Sequence, residues 1–229
     1  MNDTITYTQT APTQSLDRTD FLRKTYFHLL GAVAAFVGLE IILFQTGLAY
    51  LIGYTLASNW LITLGGFVLL GWIANYFAQK SESLPQQYVG LGLYVVAQAL
   101  IFTPLLLMAV VFSDPSVLTN AIYATLATFG VLTAIVGYSG KDFSFMGPFL
   151  AVTGLVAMAA IVGSLLFSVT LGFYFSLAMV VFAAGTVLYE TSKVVHNYRD
   201  DQYVSASLGL FASVALLFYY ILMIFTNRN

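Results

Sequence analysis

The chain has 229 residues, of which 59% are hydrophobic and only 8% charged, and its mean hydropathy is +0.87. Soluble domains carry about a quarter charged residues, so a water-facing globule is excluded. The net charge of -2 gives no reason to expect a nucleic-acid partner, and the absence of cysteine excludes disulfides and thiolate metal sites.

Residues 1–20 hold six threonines, three acids and almost no apolar bulk, which predicts a disordered cytoplasmic tail. The tail lacks the basic start, short apolar core and small-residue cleavage site of a signal peptide. Two roles stand open for it: an inert solubilising segment, or a handle for a partner that would be read through residues such as Met1, Asp3, Asp17 and Asp20.

Beyond it, residues 21–229 read as one membrane domain. A helix needs about 20 apolar residues to cross a ~30 Å hydrocarbon core. Seven such runs follow in order: Tyr26–Phe44, Ser58–Phe77, Tyr88–Phe112, Val117–Tyr138, Phe145–Phe167, Leu171–Tyr189 and Val204–Phe225. They are continuously apolar, whereas outer-membrane strands are about 10 residues long and alternate. The fold class is therefore all-α, a polytopic seven-transmembrane-helix bundle. Gly47 to Gly53, Ser81 to Pro85 and Ser113 to Pro115 mark the first three breaks, and no loop is long enough for a separate soluble domain. Pro104 predicts a kink in the third span. Gly65, Gly66, Gly71, Gly147, Gly154 and Gly163 predict close helix approach.

Arg18, Arg23, Lys24, Lys80, Lys141, Lys193 and Arg199 fall on one side of this topology and only Arg228 on the other. Basic residues are retained in the cytoplasm, so the N-terminus is expected inside and the C-terminus outside. Trp60 fits an interfacial anchor.

Two acids, Glu40 and Glu190, lie within the runs or at their margin. An ionisable group at the helix centre costs roughly 2.5 kcal/mol or more. Glu40 lies about 24 Å along the first helix from Lys24, where it could snorkel to the outer interface, make a packing hydrogen bond or serve an ion route. Glu190 precedes Lys193 and His196. With a hairpin turning near residue 201, it is expected level with Ala212 and Ser213, and Ser213 is its expected polar neighbour. Lys193 shares its helix face and could pair with it. His196 lies well round the helix, either as an interfacial residue or as a group that titrates near neutrality. A structural hydrogen bond and a pH or ion sensor are both open for Glu190.

The segment Leu188–Tyr189–Glu190–Thr191–Ser192–Lys193–Val194–Val195–His196, then Tyr203–Val204 and Leu208 to Ser213, resembles the C-terminal signature of the Bax inhibitor superfamily. Arg18–Thr19 through Phe27 and Lys141–Asp142–Phe143–Ser144–Phe145–Met146–Gly147 agree with it. The bacterial YccA-like branch, whose members modulate the membrane protease FtsH, looks most similar. The resemblance implies six helices around a central seventh, a bacterial inner-membrane location, and regulation of an FtsH-type protease by a slowly processed substrate or competitive inhibitor. The alternative it implies is a pH-sensitive calcium or cation leak, in which two aspartates on the last two helices share a proton. Glu190 matches the first of those positions and Ser213 the second. A lone acid lacks the coupling that brings a carboxyl pair to titrate near neutrality, so the protease reading gains.

No enzyme is expected. The two histidines, His28 and His196, lie on different helices, and neither a nucleophile-base spacing nor a glycine-rich phosphate loop is present. No lysine stands mid-way along the last span to carry retinal. Neither a cofactor nor a metal site is expected beyond the calcium of the alternative reading, and the oligomeric state is left open.

Overall fold

The computed structural model describes residues 13–79 and 83–227, with side chains from residue 18 except that of Gln79. Met1, Asp3, Lys80 and Arg228 lie outside these residues, as does the side chain of Asp17. The chain forms α1 (Thr13–Gln45), α2 (Leu48–Ser58), α3 (Trp60–Gln79), α4 (Leu84–Val111), α5 (Ser116–Ser139), a 3-10 turn (Ser144–Met146), α6 (Gly147–Leu166), α7 (Phe173–His196) and α8 (Tyr203–Thr226). All except α2 and the 3-10 turn are long and apolar enough to cross a membrane, so the seven expected spans are present. Helices suit this setting because every backbone polar group is satisfied within its own segment.

Two expectations are corrected at the N-terminal end. The tail was expected to stay disordered to residue 20, but α1 begins at Thr13. Its 33 residues make it about 50 Å long, well beyond a hydrocarbon core. Asp20, expected in the tail, instead sits on this helix and pairs with Arg23 and Lys24, both at 2.7 Å, three and four residues on. The break beginning at Gly47 is also more structured than the sequence suggests. Gly47 takes a left-handed φ of 76°, which ends α1 cheaply for a residue without Cβ, and the chain re-enters an 11-residue helix at once. α2 seats Gly53 on α4, where an added Cβ would stand 3.2 Å from Leu107 and 3.7 Å from Pro104.

α4 and α8 form the centre. The buried face of α8 includes Leu208, Leu210, Phe211, Leu217 and Leu222, and α8 packs on α7, α1, α4, α5 and α3, as the resemblance implied for the seventh span. Rings knit the pair to α1: Phe36 meets Phe102 edge-on at 5.1 Å, and Phe102 stacks on Phe218 at 5.6 Å. α4 runs through Pro104 unbroken. The outer helices expose large apolar side chains such as Trp72, Leu155 and Tyr174, the pattern of a surface whose solvent is hydrocarbon.

The glycines divide. Gly147 meets Tyr189 and Gly154 meets Phe182 closely, but nothing lies within 4 Å of a Cβ built on Gly65, Gly66 or Gly163, and Gly71 has ordinary contact. A close helix crossing lies at Gly90 of α4, where a Cβ would stand 2.6 Å from the Ala74 carbonyl oxygen and 2.8 Å from the Ala78 nitrogen. Backbone there approaches backbone, the use of small residues where hydrophobicity cannot drive association. Ser205 of α8 donates to the Ala78 carbonyl at the same junction. Trp60, the first residue of α3, is half-buried and packs its ring against the core.

Candidate functional site

The last carbonyls of a helix have no partner within it, and α7 ends inside a cluster of polar groups that supplies them. Asn197 N donates to Lys193 O at 2.8 Å. From the other end of the chain, the Arg18 guanidinium donates to the carbonyls of Val194 and Tyr198, the latter at 2.8 Å, and pairs with Asp200 at 3.2 Å. Its guanidinium also lies 4.4 Å from the Phe21 ring centroid. A cation on the negative end of a helix dipole is favourable, and Val194 is fully buried, so this clasp ties α1 to the junction of α7 and α8.

The loop before α6 makes a second tie. Asp142 accepts from Ser144 N at 2.8 Å and from Ser192 Oγ at 2.9 Å, while Phe143 N donates to Ser192 Oγ at 2.7 Å. Ser144 Oγ donates to Asn197 Oδ1 at 2.9 Å. The hydrogen bonds from Ser144 and then Ser192 hold the Asp142 carboxyl below the ordinary carboxylate range. His196 belongs to this side: its Nδ1 lies 3.1 Å from Ser192 O and 3.5 Å from Ser192 Oγ. The structure does not bring it to Glu190.

Glu190 and Lys193 do meet. The Lys193 ammonium donates to both carboxylate oxygens, at 3.1 and 3.2 Å, and both side chains are largely buried. It also lies 5.0 Å from the Tyr189 ring centroid and 5.1 Å from that of Tyr198. Burial, then the Glu190 charge, push the Tyr198 phenol up to about 12.

The expected level of Ser213 is corrected. Glu190 lies against Gly209, where any Cβ would collide with its carboxylate. Ser213 lies one turn further, donating to Gly209 O at 2.9 Å and reaching Thr186 O at 3.5 Å. Its hydroxyl is satisfied by backbone and is not a partner of the acid. Tyr189, Glu190, Gly209 and Ser213 line a cavity of about 730 Å³ bounded by α3, α4, α6, α7 and α8, where Asn75 and Gln98 are further polar points on a mainly apolar wall.

Glu40 is elsewhere. It is only 6% exposed, and neither carboxyl oxygen has a hydrogen-bond partner among the described residues. It therefore neither snorkels nor makes the packing hydrogen bond. Its helix neighbours one turn away, Phe36 and Phe44, both pack into the core. Among the described residues no three acids or histidines group as metal ligands.

Reading by residue type missed Arg18, Asp142 and Ser192 as site members. Their signal was present: all three stand in the segments that carry the family resemblance.

Comparison with known proteins agrees. The profile of the family described as "Inhibitor of apoptosis-promoting Bax1" matches residues 18–229. The chain is similar to Protein LIFEGUARD 4 of Arabidopsis thaliana, 27% identical over 91% of this chain and 85% of that one. It is 27% identical to Bax inhibitor 1 of Schizosaccharomyces pombe over 72% of this chain and 61% of the relative. With the uncharacterized protein PA2604 of Pseudomonas aeruginosa it shares 33% identity over 48% of this chain and 50% of the other. With seven apolar spans and a profile match that starts at Arg18, the first residue of the clasp, the chain belongs to the Bax inhibitor superfamily of multi-pass membrane proteins.

Proposed function

We propose that the protein is a membrane regulator that modulates an FtsH-type membrane protease, acting as a slowly processed substrate and competitive inhibitor in a bacterial inner membrane, its N-terminus cytoplasmic and its C-terminus external. The Arg18 clasp carries this reading. A protease that pulls a membrane protein from its N-terminus loads α1 first, and Arg18 joins α1 to backbone carbonyls 176 and 180 residues away. Extraction from that end must therefore break the α7–α8 junction and with it the centre of the bundle. A substrate that engages readily and unfolds slowly occupies the machine unproductively.

Co-purification with the protease tests engagement, and the turnover of a second membrane substrate in its presence tests inhibition. A cation leak is the second reading, favoured by the cavity with Glu190 on its wall. Against it, Glu190 is the one acid among the described lining residues and is already paired with Lys193. Calcium flux through liposomes of the pure protein tests that reading.

A further inference from the structure

The Glu190 carboxylate and the rings of Tyr189 and Tyr198 enclose one point in space, and the Lys193 ammonium occupies it. Both carboxylate oxygens are within 3.2 Å of Nζ, and both ring centroids within 5.1 Å. An anion together with aromatic faces is the chemistry that binds organic ammonium ions. The positions are built. Tyr189 is pressed against Gly147, where a Cβ would stand 3.0 Å from its ring, and the carboxylate rests on the bare backbone of Gly209. Glu190, Tyr189 and Gly209 also line the large cavity, while Lys193 stands one turn beyond Glu190 towards the end of α7.

From this we infer that Glu190, Tyr189 and Tyr198 form an alkylammonium-binding site beside the cavity that Glu190 and Tyr189 line, and that Lys193 is a tethered occupant that keeps free amines out of it. The inference rests on this geometry and on neither functional reading, since its test is binding and not protease inhibition or flux. The geometry also sets the selectivity. A primary ammonium can donate to two carboxylate oxygens, as Lys193 does, whereas a neutral alcohol of the same shape lacks the charge.

The test uses the full chain in detergent or nanodiscs. Lys193→Ala removes the occupant beyond Cβ, and n-propylammonium replaces the missing atoms. Thermal unfolding of this variant should shift upwards, saturably, with a midpoint concentration at least tenfold lower than any shift in the wild type. Sodium chloride at equal ionic strength and 1-propanol should not reproduce it, and adding Glu190→Gln should abolish it. Lys193→Met keeps the aliphatic packing and leaves room for the ammonium ion itself, which should act in that variant as propylammonium does in the first. A folded variant that responds no better than the wild type would overturn the inference. Should neither variant fold, the wild-type chain decides: reductive methylation should modify exposed Lys141 at least tenfold faster than Lys193, and equal rates would overturn it.

Discussion

Arg18 in the second turn of α1 donates to the carbonyl of Val194 near the end of α7. The first and last thirds of the chain are joined there by one side chain.

Arg18→Ala should lower stability by about 1.5–3 kcal/mol, the range for hydrogen bonds to a charged group, with the lower part favoured because the side chain is 27% exposed. Arg18→Lys should recover only part, since an ammonium cannot reach both carbonyls and Asp200 in the same fork. Equilibrium unfolding in mixed micelles measures both.

Glu190→Gln leaves the Lys193 ammonium without its counter-charge in a largely buried site. Breaking a fully buried pair costs about 3–5 kcal/mol; with some solvent access, roughly 1–3 kcal/mol is expected here. Glu190→Gln combined with Lys193→Met should be more stable than Glu190→Gln alone. A double variant worse than both singles would mean that the ion pair is not what holds these groups.

Gly90→Ala places a methyl group against the Ala74 and Ala78 backbone and should cost about 1–3 kcal/mol as overpacking. Gly65→Ala, with nothing nearby, should be neutral or stabilising by up to about 1 kcal/mol through helix propensity. Parallel unfolding curves separate the two.

Asp142 has a depressed folded-state pKa, so its contribution is present above the unfolded carboxyl value and is lost as pH falls through the lower folded value. The loop before α6 should therefore hold to α7 at neutral pH and loosen only in acid below about 4, the ordinary aspartate value. Hydrogen exchange at Phe143 and Ser144 reads this directly, and Asp142→Asn should flatten the dependence.

The seven spans were legible because hydropathy is additive over about 20 residues and owes nothing to partners. α2 was not, because Gly47 is a real break and 11 residues beyond it are too few to register as a span. The Glu190–Lys193 pair followed from helix spacing alone. The partnership of Glu190 with Ser213 failed because it assumed a symmetric hairpin about residue 201. α7 ends at His196 and α8 starts at Tyr203, which shifts the facing register by nearly one turn. The Arg18 clasp could not be read from residue types, since its acceptors are mostly backbone carbonyls that every residue carries. Gly90 was hidden for a related reason: helix backbones that touch leave no mark in a single sequence beyond one more glycine.

The most direct test reconstitutes an FtsH-type protease in liposomes with a second membrane substrate and follows degradation of that substrate. Wild-type protein should slow it several-fold while being degraded slowly itself, and Arg18→Ala should be degraded faster and lose most of the inhibition. Unchanged degradation of the second substrate in the presence of folded wild-type protein would contradict the account and leave the cation leak as the reading to pursue.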